Sequence, residues 1–452
     1  MLQHKQIQLP QLPQDEYYED LIAAILCAGG FYVEKRIDLR EPTNVLELDI
    51  VTSKYYNDHV DKKLAEVKSK DWKFGDVFKV RGWMDYLNMT DASFICLNTT
   101  KQDFTQMQQV AANLHISLLD LQIANNNIED QDLLADYKIS VTNTKLFTCA
   151  VGALRFAFVL ERTMLNKYLI PMVKDPNGLS ACKSIRDFIY TVCEHSFFQN
   201  NPNARLREVF QAFIDHKKIT ARLDTEKRTG VYESADNADL SNESFSYLFY
   251  ESPAEKSPLH LALYAELVCR QTMLQLCVEE IYRDSSLNGF MRTLERMVLP
   301  ENIKNGMQDL STKHQYFYLY PHFWQTFIFL FGGFVLTDKI DEEYKMLSEI
   351  TGVPVDKIDE ALSAFDILFP ISGSWLFDKK NSNIKILQFM PLQIAGVGAN
   401  FRRVVYRTDD KDVTFESLGQ QLKGNYTLND LIKYNNILIE YLWMDKNIAV
   451  QP

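Results

Sequence analysis

Residues 45–68 read VLELDIVTSKYYNDHVDKKLAEVK, two apolar runs joined by a short polar insert. Alternation with a period of two predicts a strand from Val45 to Val51, in which one face carries Val45, Glu47, Asp49 and Val51. The same alternation predicts a second strand from Lys63 to Ser69, in which one face carries Leu64, Glu66 and Lys68. If the two strands pair, the charged side chains of both runs meet at one edge of a sheet.

These charged side chains suit the hydrolysis of a phosphodiester. The carboxylates of Asp49 and Glu66 are the ligands that Mg²⁺ or Mn²⁺ prefers, and the backbone carbonyl of Val67 is a candidate third ligand. Such a cation polarises the phosphate and lowers the pKa of an attacking water. Lys68 would orient that water or neutralise charge that grows on the phosphoryl oxygens. Glu47 is a weaker alternative to Asp49 as the ligand.

The elements around this pair of strands predict an α/β domain with a mixed sheet. In chain order they are a helix, three strands, a helix, a strand, a helix and a strand, over Asp15 to Ala28, Phe31 to Leu39, Val45 to Val51, Lys63 to Ser69, Gly75 to Met89, Ser93 to Asn98, Phe104 to Leu114 and Ile116 to Leu121. Three strands with short links indicate an antiparallel meander. The helix that follows indicates a crossover to a parallel neighbour.

With Asp49 in Leu46-Glu47-Leu48-Asp49-Ile50-Val51 and the triplet Glu66-Val67-Lys68, residues 15–125 resemble the PD-(D/E)XK nuclease superfamily. The pattern is similar to its Mrr-type and Holliday-junction-resolvase-type branches. This resemblance implies a restriction-endonuclease-like αβββαβ core and Mg²⁺-dependent cleavage of DNA, less often of RNA. It also implies a catalytic role for a glutamate on the first helix, which matches Glu19. Leu48 stands where the name of the superfamily has a proline.

Basic residues that follow the triplet are candidate contacts for nucleic acid. The segment from Asp61 to Arg81 holds seven Lys and Arg against four acids, inside a chain whose formal net charge is -12. Lys79 and Arg81 lie on the helix predicted to flank the site, so they could touch a phosphate, and Lys70 is a weaker candidate. An ordinary solvated surface explains the same charges, and the sequence leaves both interpretations open.

Beyond the predicted nuclease domain at residues 15–140, the sequence turns mainly helical. We expect a lead at 1–14, a helical domain at 141–340, a winged-helix-like segment at 341–425 and a C-terminal helix at 426–452. The order helix, turn, helix and hairpin over residues 343–389 suggests the winged-helix module, which could bind DNA or mediate dimerisation. The apolar run from Trp324 to Leu336 is too short to span a bilayer and predicts a buried helix.

Composition bounds the functional class. A net charge of -12 argues against a protein that coats nucleic acid by bulk attraction, although a local basic channel would be enough for a nuclease. Seven scattered cysteines without CxxC spacing indicate reduced thiols in a cytoplasmic protein, and the N-terminus has no apolar signal-peptide core.

The sequence therefore predicts a Mg²⁺- or Mn²⁺-dependent endonuclease that acts on DNA, as a prokaryotic restriction or phage-defence effector does. Its helical region would regulate the site, form a homo-oligomer or recruit a partner protein, and no membrane partner is expected. The alternative is a non-catalytic subunit that uses a degenerate nuclease fold to bind nucleic acid or to assemble a complex.

Overall fold

The computed structural model describes residues 15–40, 46–97, 99, 103–121, 131–164, 180–199, 202–228, 258–283, 301–331, 334–336, 340–368, 376–378 and 384–387. Its N-terminal part follows the predicted order of elements. These are α1 (Glu16–Ala28), β1 (Tyr32–Leu39), β2 (Leu46–Tyr55), β3 (Val60–Lys68), α2 (Phe74–Leu87), β4 (Asp91–Leu97), α3 (Phe104–Ala112) and β5 (Ile116–Leu121). The predicted lead at 1–14, the C-terminal helix at 426–452 and Val45 lie outside the described residues.

The five strands form one mixed sheet in the order β1-β2-β3-β4-β5. The pairs β1–β2 and β2–β3 are antiparallel, whereas β3–β4 and β4–β5 are parallel. A short link allows an antiparallel neighbour, and a helical crossover is needed to return to a parallel one. The predicted meander followed by parallel strands is therefore confirmed.

Strict alternation fails in the middle of β2. Leu48 and Val51 are three positions apart, so strict alternation would place them on opposite faces. Both nevertheless belong to the core cluster under α2, whereas Ile50 belongs to the cluster on the α1 side. On the neighbouring strand, Arg36 has a φ of 51°, in the left-handed region that side chains rarely adopt. The prediction that Asp49 and Val51 share one face with strict period two is therefore wrong, because the backbone is irregular here.

Helices make up most of the described residues that follow the sheet. They are α4 (Gln131–Asp136), α5 (Thr144–Met164), α6 (Ser180–Cys193), α7 (Pro202–Arg228), α8 (Pro258–Arg283), α9 (Glu301–Lys313) and α10 (Tyr320–Phe329). The helix α1 packs on α5, and α8 packs on both α6 and α7. Among the helices of the described ranges, none has the length and apolar composition that a bilayer crossing needs.

The last described elements are β6 (Phe334–Leu336), α11 (Ile340–Thr351), α12 (Ile358–Leu368), β7 (Leu376–Asp378) and β8 (Ile384–Leu387). The predicted hairpin is confirmed, since β7 pairs antiparallel with β8. The prediction of one helix over Trp324 to Leu336 is wrong, because β6 pairs with β8 instead. Gly332 and Gly333 separate helix from strand in the sequence, and glycine disfavours a continuous helix. The winged-helix assignment stays a prediction.

The larger core is shared between the sheet and the helices. It runs from Tyr18 of α1 to Leu368 of α12 without a division at residue 140. A side chain of α10 also covers the edge strand β1. The Gln325 amide accepts a hydrogen bond from the Val33 N–H at 2.9 Å and donates one to the Val33 carbonyl at 2.9 Å. The helical part thus satisfies backbone groups that an edge strand would otherwise expose.

Candidate functional site

The candidate site forms where β2 and β3 separate. The two strands pair as far as Ile50 and Ala65. One residue further, the Asp49 carboxylate takes the place of a strand partner, because its Oδ2 accepts a hydrogen bond from the Val67 N–H at 2.8 Å. Asp49 is buried. This contact fixes the carboxylate of β2 beside the Glu-x-Lys triplet of β3.

Lys68 joins the two acids into one cluster. Its Nζ lies 3.5 Å from Asp49 Oδ2 and forms an ion pair with Glu66 Oε1. Glu66 is only 4% exposed, and its second oxygen, Oε2, is buried with no hydrogen-bond partner among the described residues. The structure therefore brings Asp49, Glu66 and Lys68 together, as the spacing predicts. The catalytic roles of these residues stay predictions.

Burial and mutual repulsion change the ionisation of this cluster. Burial, and then the charge of Asp49, raises the pKa of Glu66 to about 8. Burial disfavours the Lys68 ammonium, but the carboxylates of Asp49 and Glu66 outweigh that effect and hold the pKa of Lys68 above its ordinary value. Negative charge therefore accumulates here at a cost, which a cation would relieve.

Glu19 reaches the same neighbourhood from α1. Burial, and then the charge of Asp49, raises the pKa of Glu19 to about 7. Its Oε2 lies 3.9 Å from Nε of Arg36. The hydroxyl of Tyr18 holds this helix against the sheet by donating a hydrogen bond to the Cys96 carbonyl at 3.0 Å. Glu19 can thus gain or lose a proton near neutral pH beside Asp49.

Glu47 lies further out. Its side chain is exposed, in contrast to the buried Asp49. Partial desolvation, followed by the charges of Asp38 and Asp49, raises the pKa of Glu47. This placement favours Asp49 as the inner carboxylate and leaves Glu47 at the rim.

The side chains predicted to contact nucleic acid are all engaged in ion pairs within the chain. Lys70 lies 2.5 Å from Asp15 Oδ2, and Lys79 lies 2.9 Å from Asp76 Oδ1. Arg81 pairs with Asp85 one turn further along α2 and donates to the Leu114 carbonyl at 3.2 Å. Contact of any of these side chains with a phosphate stays a prediction.

A buried network of charged side chains on α1, β1 and α5 adjoins the site, and the sequence analysis did not predict it. Asp20, which is fully buried, accepts hydrogen bonds from Arg36 of β1 and, at 2.9 Å, from Nε of Arg162 on α5. Arg162 also pairs with Glu16 at 2.7 Å. The hydrogen bond between Arg162 and Asp20 joins residues 142 positions apart, so no local pattern in the sequence could reveal it.

The donor set fits a hard divalent cation. Among the described residues, no three His, Cys, Asp or Glu side chains group together in a way that could hold a metal ion. The set would instead consist of the carboxylates of Asp49 and Glu66 with the backbone carbonyl of Val67. The buried and unpartnered Oε2 of Glu66 is an oxygen with free coordinating capacity. Oxygen donors of this kind match Mg²⁺ or Mn²⁺.

A cavity of about 340 Å³ adjoins the site between β1 and the helices α5, α6 and α8. Glu47 and Arg36 lie on its wall, so the cavity borders the acidic cluster without including Asp49 or Glu66. Several charges on its wall neutralise one another. Lys35 pairs with Glu161 at 2.7 Å, and Arg40 pairs with Glu194 at 3.0 Å.

Comparison of the chain with protein-family models, curated proteins and solved structures finds no match. The assignment to the PD-(D/E)XK superfamily, and with it the restriction-endonuclease-like fold, therefore stays a prediction. It rests on the motif residues and on the order of the elements.

Proposed function

We propose that the chain is a Mg²⁺- or Mn²⁺-dependent nuclease that hydrolyses phosphodiester bonds, with DNA as the preferred substrate. The observation that carries the proposal is the junction of β2 and β3, where Asp49, Glu66 and Lys68 meet. Two desolvated carboxylates and one ammonium at a strand junction have the chemistry that such hydrolysis requires.

Each side chain has a distinct task in this proposal. Asp49 and Glu66 would hold the cation together with the Val67 carbonyl, and the hydrogen bond from the Val67 N–H positions the Asp49 carboxylate. A bound cation would polarise the phosphate and lower the pKa of the attacking water. Lys68 stays charged across the physiological range, so it can neutralise negative charge on the phosphoryl oxygens.

Glu19 is suited to moving a proton at the rim of the site. A carboxyl whose pKa is about 7 exchanges a proton readily at neutral pH, which is the property that general acid–base catalysis needs. We assign it the task of accepting a proton from water near Asp49.

The test is a cleavage assay with the full chain. Supercoiled plasmid, linear DNA and single-stranded RNA are incubated with millimolar Mg²⁺ or Mn²⁺. Cleavage is expected with metal and lost with a chelator, and Asp49→Ala, Glu66→Ala and Lys68→Ala should each abolish it. Glu349→Ala, which changes an exposed glutamate on α11, is the control that keeps activity. Activity retained in Glu66→Ala would overturn the assignment of the site.

One observation favours a second candidate, a non-catalytic subunit that binds nucleic acid or assembles a complex. Lys68 already pairs with both acids, so it can neutralise the cluster without a metal. In that case the purified chain cleaves none of the three substrates with either metal. Its thermal midpoint would also be insensitive to millimolar Mg²⁺, whereas a metal-binding site predicts stabilisation.

A further inference from the structure

One face of α2 is exposed over its whole length. It carries two large aromatic residues, two charged residues and two glycines, namely Gly75, Phe78, Lys79, Gly82, Asp85 and Tyr86. Phe78 is 55% exposed and Tyr86 is 53% exposed, which is unusual for rings of this size. The opposite face of α2 is buried in the core under the sheet through Val77, Val80 and Met84.

Gly82 lies in the interior of α2, whereas Gly75 is the second residue of this helix. A glycine in a helix interior disfavours helix by about 1 kcal/mol relative to alanine, so Gly82 is costly unless a close approach requires it. Open space lies over both Gly75 and Gly82, since no heavy atom of the described chain comes within 4 Å of the position that a Cβ would take. Nothing within the described chain therefore explains the missing side chains, whereas a second backbone that packs close to Gly82 would.

The exposed face is complementary to itself. Phe78 and Tyr86 lie four residues before and after Gly82, and Lys79 and Asp85 lie three residues before and after it. If two copies of α2 pack antiparallel about a two-fold axis through Gly82, Phe78 faces the partner's Tyr86. Lys79 then faces the partner's Asp85. An isologous contact requires this kind of internal symmetry.

We propose that α2 is the contact between two copies of this chain, arranged antiparallel about Gly82. Phe78 and Tyr86 supply the apolar contact area, and the charge pairs fix the register. Lys79 and Asp85 are 67% and 60% exposed, and their present ion pairs are local ones within α2. Such exposed pairs contribute little, so they exchange readily for pairs across the contact.

Charge favours a second copy over nucleic acid as the occupant of this face. The face has one lysine and one aspartate, so it carries no net positive charge to attract phosphates. The helix is 14 residues long, about 21 Å. This contact is small beside interfaces of standard size, so we expect an equilibrium that depends on protein concentration.

The test is the mass of the full chain measured by sedimentation over a range of concentrations. The wild type should pass from 52.5 kDa to twice that mass as concentration rises. Gly82→Leu should remain monomeric, because its side chain blocks the close approach. Its thermal midpoint should be unchanged or higher, since leucine favours helix over glycine. Loss of the dimer in this variant therefore cannot be attributed to unfolding.

Charge reversal gives a second, independent readout. Lys79→Asp places like charges together twice in the symmetric dimer, so the dissociation constant should rise about tenfold. Combining it with Asp85→Lys restores opposite charges and should restore the affinity. Lys218→Asp is the matched control, because Lys218 is 73% exposed and pairs with Asp215 three residues earlier, as Lys79 pairs with Asp76.

Three outcomes would overturn the proposal. The first is a wild type that is monomeric at every concentration. The second is a dimer that survives Gly82→Leu and both charge variants, because the contact then lies elsewhere. The third is a loss of nucleic-acid affinity in Lys79→Asp without any change in mass, because the face then binds nucleic acid. None of these readouts depends on the proposed nuclease activity.

Discussion

Replacing Glu66 by glutamine should stabilise the protein at alkaline pH while removing a ligand of the proposed metal site. Glu66 is buried beside Asp49, and its pKa of about 8 lies well above the ordinary value of 4.5. The folded state therefore holds this proton to a higher pH than the unfolded chain does. The contribution of Glu66 to the unfolding free energy is largest below about pH 4.5, falls as pH rises through the window to about pH 8, and is then constant.

The size of the effect follows from that difference in pKa. At about 1.4 kcal/mol for each tenfold change, ionising Glu66 in the folded state costs roughly 5 kcal/mol. Glu66 is only 4% exposed, so solvent screens little of this cost. The attraction between Lys68 and the ionised Glu66 is already part of this cost, because it opposes the rise in the pKa of Glu66. We therefore expect Glu66→Gln to be more stable than wild type above pH 8, by up to roughly 5 kcal/mol.

The assay is urea unfolding of wild type and Glu66→Gln at about pH 5 and about pH 9, each with and without millimolar Mg²⁺. The variant should unfold at a higher urea midpoint than wild type at the alkaline pH and at a similar midpoint at the acidic one. Mg²⁺ should raise the midpoint of the wild type only. Glu349→Gln, an exposed change, should match wild type throughout.

Two results would refute this reasoning. One is a variant less stable than wild type at about pH 9, because the Glu66 carboxylate would then be stabilising in its ionised form. The other is an equal Mg²⁺ response in wild type and variant, because Glu66 would then contribute nothing to metal binding.

Three further predictions concern the surroundings of the site. Asp20→Asn should lower the unfolding free energy by about 3–5 kcal/mol, measured as a fall in the urea midpoint. The reason is that Arg162 loses the buried carboxylate with which it forms an ion pair. Gln325→Leu should cost about 2–4 kcal/mol by the same measurement, because it leaves the N–H and carbonyl of Val33 unsatisfied. The proposed role of Glu19 predicts that the cleavage rate of the wild type changes near pH 7 and that Glu19→Gln removes this change. A pH–rate profile unaltered by this variant would exclude Glu19 from proton transfer.

Local patterns in the sequence were sufficient to predict the sheet and the meeting of its charged residues. Period-two alternation and a short link fix which strands pair, and pairing brings Asp49 to Glu66 and Lys68. The irregular backbone between Leu48 and Val51 was not predictable, because the sequence of this segment has the pattern of an ordinary strand. Strand β6 was missed for a similar reason, since an apolar run of that length suits helix and strand equally.

Features that depend on distant parts of the chain had no signal in the sequence. The isolation of Glu66 Oε2 results from packing around the strand junction, and burial of this kind raises a pKa only once the fold exists. The same holds for Arg162, whose partner lies 142 residues away. Sequence spacing predicts contacts between neighbouring strands, but it does not predict which helix covers them.

The two hydrogen bonds between Gln325 and Val33 make the sheet a poor candidate for transfer to another protein. A fragment ending near residue 140 would keep all five strands but lose α10, and with it the cover of β1. The exposed edge strand could then pair with strands of other fragments, which is a route to aggregation. Protein engineers who want the candidate catalytic domain alone would therefore need to redesign that edge, for instance with a charged residue or a proline.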